Sequence, residues 1–440
     1  MRTCSWMLLV LLISGTATAD ERPALFLPQL LGAQYTLVDQ HQYALRSPYA
    51  GKLSLLPGGD TEQSHTFGAY FGIQLPAHFQ YYFDAEMFKG EGVSNATGLG
   101  GVVNGDVVHS GSANLGKRAY MARHFLRWSL SLGGPDEKIE RAADQLPGSQ
   151  ATRRIEAKIG KLAASDDFDK SRYANSARTQ FLNVSFISTL AWDYAADTRG
   201  YTNGATIALV LPPWTLRYGV YQMPTQANGQ TLEWPLKRAR GEQLEADYQP
   251  HKDSWALRLL VFRNIVRMGI YEDALALARS TGNVPNIRSD DREGRRKYGF
   301  ALNTEVPIAD GGDTGLFARA GWNDGKTESF AFTEVDNDLS VGAQVSGAHW
   351  HRPKDRLGIA FNSNGLSRPH REYLAAGGHG FLLGDGALIY GRENIAEVYY
   401  AFQPLGPITL GPDFQYIGNP GFNRARGPAK FIGLRLHLEY

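Results

Sequence analysis

The 440-residue sequence has one cysteine, Cys4, at its extreme start. Disulfides, thiol catalysis and zinc–thiolate sites are therefore excluded for everything downstream. Long apolar runs are missing too. Trp6 to Ile13 falls well short of the ~20 residues with which a helix crosses a bilayer. Nor is there an excess of charge of one sign. With 45 basic and 44 acidic residues the net charge is +1, so no polyanionic partner such as nucleic acid is implied. The GxSxG elbow, the HExxH pair and the Walker loop are all absent, so no enzyme and no cofactor are indicated.

The short apolar run has a purpose of its own. Arg2 supplies a positive start, and Ala17-Thr18-Ala19 supplies a small-residue cleavage site before Asp20. Residues 1–19 are thus expected to be a secretory signal, leaving residues 20–440 as one exported domain. The mean hydropathy of the whole 440-residue sequence, −0.32, is that of a water-soluble chain. A transmembrane barrel has the same average, because half of each strand faces water.

The stretch Pro428 to Tyr440 separates these possibilities. Ile432, Leu434, Leu436, Leu438 and Tyr440 alternate with Phe431, Gly433, Arg435, His437 and Glu439. A period of two is a strand signal. An aromatic end residue with one apolar and one polar face suits the closing strand of an outer-membrane barrel. On this parity Leu436 meets lipid and Arg435 meets the lumen, so Leu436→Arg should harm the fold more than Arg435→Leu.

The pattern recurs along the chain. Leu31 to Gln42 places Ala33, Tyr35 and Leu37 on one face, with Gln34, Thr36 and Gln40 on the other. His65 to Leu75 and His78 to Phe88 form a hairpin about Pro76-Ala77. Its outer face carries Phe67, Ala69, Phe71, Ile73, Phe79, Tyr81, Phe83 and Met87. A fourth strand, Arg118 to Leu132, puts Ala122, Leu126, Trp128 and Leu130 out, with Arg123, Phe125, Arg127 and Ser129 in. Short turns then alternate with long loops at 90–116, 163–200, 224–240, 264–296 and 363–393. One loop contains a helix-like piece, Ile270 to Arg279. The connection from Gly133 to Ala151 lies on the short-turn side but is longer. The fold class read from this is all-β, a transmembrane antiparallel barrel of about sixteen strands. Glycine, at 49 residues, suits tight turns and a crowded lumen. A soluble sandwich or propeller is the rival, and it rarely needs so many outward aromatics.

Several stretches together resemble the OprB-type carbohydrate-selective porins of Gram-negative outer membranes. They are Ser47-Pro48-Tyr49-Ala50-Gly51, Ser54-Leu55, Asn104-Gly105, Gln180-Phe181-Leu182-Asn183, residues 193–202 (DYAADTRGYT), residues 373–378 (YLAAGG) and Asn419-Pro420 with the terminal strand. The resemblance implies a sixteen-stranded barrel with a loop folded into the lumen, located in the outer membrane. It further implies passive, selective diffusion of small carbohydrates. The expected partners are small sugars, outer-membrane lipid and the barrel assembly machinery acting on the last strand, with the protein a monomer or a trimer. Some members of the wider family look like divalent-cation (manganese) channels, and a general small-solute porin is a further alternative. These motifs do not separate the sugar channel from the metal channel.

Candidate pore residues follow from parity and depth. Counted at about 3.3 Å per residue from their turns, Asp84, Glu86, Arg123 and Arg127 share the lumen face of adjacent strands at similar depth. Acid facing base across a wet lumen creates a transverse field, and both offer hydrogen bonds to sugar hydroxyls. Tyr82 and Phe125, with Tyr70, are inward aromatics on which a pyranose could stack. Arg217 and Glu397 are further lumen candidates, as are Glu245, Asp247, Arg319, Asp413 and Arg435. The plainer reading is that such charges only wet the wall and that most aromatics are interface girdle. The segment Ala163 to Arg199, with Asp166, Asp167, Asp169 and Arg172, is the expected constriction loop. Its acids could serve a hydrated metal ion, though short acidic runs are usually solvated loop. His349 and His351 flank Trp350 in a short turn and mark the periplasmic interface rather than a metal pair. An outer-membrane hydrolase or a periplasmic sugar-binding module are the non-channel readings.

Overall fold

The computed structural model describes residues 28–107, 115 and 117–440. The proposed leader, residues 1–19, lies outside them. The strands are β1 (Leu30–Gln42), β2 (Asp60–Gln74), β3 (Phe79–Gly90), β4 (Tyr120–Ser131), β5 (Asp136–Ile139), β6 (Gly148–Ala151), β7 (Arg154–Leu162), β8 (Thr202–Leu211) and β9 (Trp214–Gln222). They continue with β10 (Arg240–Tyr248), β11 (Ala256–Met268), β12 (Arg292–Ala309), β13 (Thr314–Asn323), β14 (Asn337–Ser346), β15 (Arg356–Gly365), β16 (Glu393–Leu405), β17 (Ile408–Gly418) and β18 (Ala429–Glu439). All except β5 and β6 join in one closed antiparallel barrel of sixteen strands. Closure is made by the chain ends, β1 against β18, with Gln34 opposite Glu439 and Gln42 opposite Phe431. A closed sheet leaves no unpaired edge for lipid to meet.

Alternation decides which side each residue faces. On β11, Leu257, Leu259 and Val261 are exposed on the outer face, while Leu260 and Phe262 are buried inside. The outer face of β18 carries Ile432 and Leu434, and its inner face buries Phe431, Arg435 and His437. β4 departs from the expected parity. Asp84 pairs with Arg123, but the next residue, Ala85, pairs with Met121, so Ala122 is an extra residue in a bulge. Ala122 is therefore buried inside and Met121 faces out, the reverse of the alternation expected above that point.

Seven short-turn-side connections and eight loops join the barrel strands. The helix-like piece is α2 (Tyr271–Thr281); α1 (Val184–Ile187) and α3 (Arg368–Ala375) sit in other loops. Residues 324–336 between β13 and β14, and 419–428 between β17 and β18, form loops that were not among the long loops read from the sequence. In the first of these, Asp193 accepts hydrogen bonds from the Phe330, Ala331 and Phe332 backbone N–H groups at 2.9, 2.7 and 3.1 Å. His349 faces Asp310 at 3.1 Å in the short-turn region.

The lumen is largely filled by residues 163–200. Non-strand backbone at this depth must find partners for its polar groups, and the inner wall supplies them. Glu397 accepts from the N–H groups of Leu182 and Asn183 at 2.6 and 3.0 Å. Glu245 accepts from Asp169, Glu305 from Arg172 and Asp338 from Ala191, at 2.8, 2.7 and 2.9 Å. Arg435 donates to the carbonyls of Ala177 and Gln180, each at 2.7 Å. Arg319 donates to Ala174 O at 2.8 Å. Glycines on the inner face of β13 give the loop room. A Cβ at Gly315 would lie 2.3 Å from the Tyr173 ring, and one at Gly321 would lie 2.4 Å from Thr189.

Candidate pore constriction

The tightest charged group forms where the inward loop meets β3 and β4. Arg123 comes from β4, directly opposite Asp84 of β3. Its guanidinium donates to Asp166 of the loop through Nε at 2.7 Å and Nη2 at 2.8 Å, and to Asp84 through Nη1 at 3.1 Å. A third carboxylate, Asp144, stands 3.4 Å away. Two parallel N–H···O bonds fix the plane of a guanidinium as well as its position. Burial alone would raise the Asp166 carboxyl, but the Arg123 guanidinium holds it down at about 2.

Glu86 organises the neighbouring group. It accepts from Arg178 at 2.9 Å, Tyr201 OH at 2.6 Å and Tyr120 OH at 3.1 Å. Arg178 reaches on to Asp106 at 2.7 Å. The ring of Tyr201 lies 5.1 Å from the Arg123 guanidinium, and the Tyr120 ring 4.0 Å from that of Arg199. Two cavities of about 200 and 300 Å³ open beside these residues, and both are bordered by Asp106, Arg178, Tyr194, Arg199 and Tyr201. Lys170 lines the larger one; its ammonium has no hydrogen-bond or ion-pair partner among the described residues, and burial lowers its pKa. Toward the loop ends a cavity of about 460 Å³ lies among Lys52, Gln226, Arg288, Glu328 and His379.

The eight residues singled out from sequence do not stay together. Asp84, Glu86 and Arg123 come together as expected. Arg127 shares their face but lies four residues nearer the turn, about 13 Å along the strand, where it donates to Gln80, Gln150 and Glu156, each at 2.9 Å. Tyr82 and Phe125 do stack, at 5.1 Å between centroids and 23° between planes. Their ring faces are not open, however. Both are buried, Lys158 lies over Phe125, and Leu146 packs with them and donates its N–H to Tyr82 OH at 3.0 Å. Arg217 stands apart on β9, paired with Glu245 at 2.8 Å and Asp247 at 3.4 Å. Glu397 is wholly buried in the loop anchor. Of the loop acids, Asp166 meets Arg123, Asp167 meets Lys158 at 2.6 Å and Asp169 meets Arg319 at 3.2 Å.

Sequence reasoning missed Asp106, Lys170, Arg178, Arg199 and Tyr201. All are on loops, where no period of two assigns a direction. The signal that was present is the 193–202 stretch. Asp197 accepts from the N–H groups of Arg199 and Tyr201 at 2.9 and 3.1 Å, and the resulting turn aims both side chains at the cavity.

Comparison with known proteins agrees with this architecture. Residues 78–440 match the family described as "Carbohydrate-selective porin, OprB family". OprB of Pseudomonas putida superposes with a TM-score of 0.68 at 16% identity, over 93% of this chain and 94% of that one. The outer-membrane channel DcaP of Acinetobacter baumannii gives 0.53 at 9% identity, over 93% and 96%. A search of curated proteins gives no match. With the family matched over most of its length and the barrel closed in sixteen strands, the chain belongs to the OprB family of carbohydrate-selective porins, and it is a Gram-negative outer-membrane channel for small carbohydrates.

Proposed function

We propose that the sugar is selected where Arg123 and Asp166 face Glu86, Arg178 and Asp106, with Lys170 and Arg199 as its most available donors. The observation that carries this is the pre-paired state of the eyelet. Arg123 and Arg178 are already held by carboxylates, so a neutral polyol can exchange hydrogen bonds with them without stripping a bare charge of its partners. Passage needs binding strong enough to select and weak enough to release. Millimolar affinity, roughly 4 kcal/mol, fits that requirement.

The experiment is single-channel conductance in planar bilayers, titrated with glucose, a disaccharide and manganese chloride, on the wild type and Arg123→Ala. Saturable glucose block that weakens in the variant supports the reading. Current insensitive to every sugar, with saturable manganese passage, would transfer the case to a divalent-cation channel, an alternative to which the family match lends no support. In this reading the protein has no catalytic role, which lipid turnover by the purified barrel would contradict. Residues 1–19 direct export, the terminal strand with Tyr440 engages the assembly machinery, and the outer apolar face contacts lipid. Native mass spectrometry in detergent distinguishes a monomer from a trimer.

A further inference from the structure

Six of the seven connections on the short-turn side are brief, such as 75–78, 212–213 and 406–407. The seventh, residues 132–153 between β4 and β7, carries its own two-stranded hairpin, β5–β6. Its tip does not hang free below the barrel. Arg141 donates to Leu31 O on β1 at 2.8 Å and lies 5.9 Å from the inward Tyr70 ring of β2. Leu146 is buried against Tyr82 and Phe125, and Asp144 reaches Arg123. Gln150 accepts from Arg127 at 2.9 Å. One segment therefore crosses the inner wall from β4 to β1 and touches four of the eight pore residues picked out by parity.

We infer that the β5–β6 hairpin is the periplasmic half of the constriction, its tip narrowing the exit while Asp144 positions Arg123. The guanidinium is then bracketed by two carboxylates of opposite origin. Asp166 descends with the long inward loop, and Asp144 rises with the hairpin. Asp144 acts through Arg123 and is a positioning residue. The tip also covers the Tyr82–Phe125 stack, so the stack supports the hairpin rather than the solute. Asp144 also meets Asp84 beside Arg123, and the charge that this acidic pair carries biases the pore toward cations.

Three variants of the full chain test this. Replacing residues 136–151 by a two-residue turn raises single-channel conductance and abolishes sugar discrimination. An intact barrel, judged by heat-modifiable migration, with unchanged conductance overturns the inference. Where that variant does not fold, Ala142→Cys on a Cys4→Ser background decides. A bulky thiol reagent added from the periplasmic side reduces the current, whereas complete labelling with unaltered current overturns the inference. Asp144→Asn shifts ion selectivity toward anions and raises the glucose concentration for half-block, with barrel migration unchanged. A contact that merely stabilises the fold leaves selectivity at the wild-type value. These readouts stand apart from the identity of the solute. If glucose never blocks the wild-type pore, the sugar assignment of the eyelet falls while the conductance and labelling arms still judge the hairpin.

Discussion

Two sectors of the inner wall carry the same kind of residues and use them differently. On β3 and β4, Asp84, Glu86 and Arg123 pair with other side chains beside an open cavity. On β16 and β18, Glu397 and Arg435 point inward by the same alternation, yet they are sealed against the backbone of residues 177–183. The difference lies in what stands across from them. Where the inward loop presses on the wall, a lumen charge becomes an anchor for peptide groups that have no water. On β3 and β4 the loop meets the wall through its own side chains, Asp166 and Arg178, so the wall charges stay ion-paired at the edge of the cavities. A lumen-facing charge thus borders the pore only where the loop meets it with side chains rather than with peptide groups.

The strongest way to break this contrast is Glu397→Ala. It strands the N–H groups of Leu182 and Asn183, at about 1–3 kcal/mol for each buried group left unpaired. Thermal unfolding in detergent should show a marked loss, and wild-type stability would remove the anchor role. Next come the two neighbours on β18. Leu436→Arg should cost about 2–4 kcal/mol if it sits near the bilayer midplane. Parity alone made Arg435→Leu the milder change. The structure alters that expectation, because Arg435 is 1% exposed and serves two loop carbonyls. The two variants should now lose comparable stability in urea titrations of the reconstituted barrel, and a harmless Arg435→Leu would contradict the anchoring geometry.

Arg123→Ala probes the open sector and should act on transport before stability. Ion selectivity should shift toward cations as the carboxylates lose their counter-charge, and reversal potentials in a salt gradient report it.

Acid gives the smallest effect. Burial outweighs the Arg123 guanidinium and pushes the Asp144 carboxyl up, whereas Asp166 is held at about 2. A carboxyl with a depressed value keeps its charged contact above the ordinary range and loses it only as pH falls through the depressed value. Acidification from neutral to about pH 4, near the unperturbed carboxyl value, should therefore discharge Asp144 while the Asp166–Arg123 clamp persists. Asp84 and Lys158 face the same group. The accompanying shift toward anion selectivity should be smaller in Asp144→Asn than in wild type, and an equal shift would assign the titration elsewhere.

The barrel was legible because its information is local. Alternation in Pro428–Tyr440 and in the β2–β3 hairpin sets two faces, and a one-residue period error would put every apolar side chain in water. The strand count, the closing strand and the shared lumen face of Asp84 and Arg123 all follow from that. A bulge has no such signature, which is why Ala122 turns inward against the pattern. Loop residues carry no period at all. Asp106, Arg178 and Tyr201 reach the eyelet only because residues 163–200 fold back through the lumen, and Asp144 only because the β5–β6 hairpin rises to meet them. By itself the sequence determined which side of the sheet each strand residue faces. The tertiary structure alone decided which inward charges keep a free edge, because that depends on segments distant in the chain competing with water for the same polar groups.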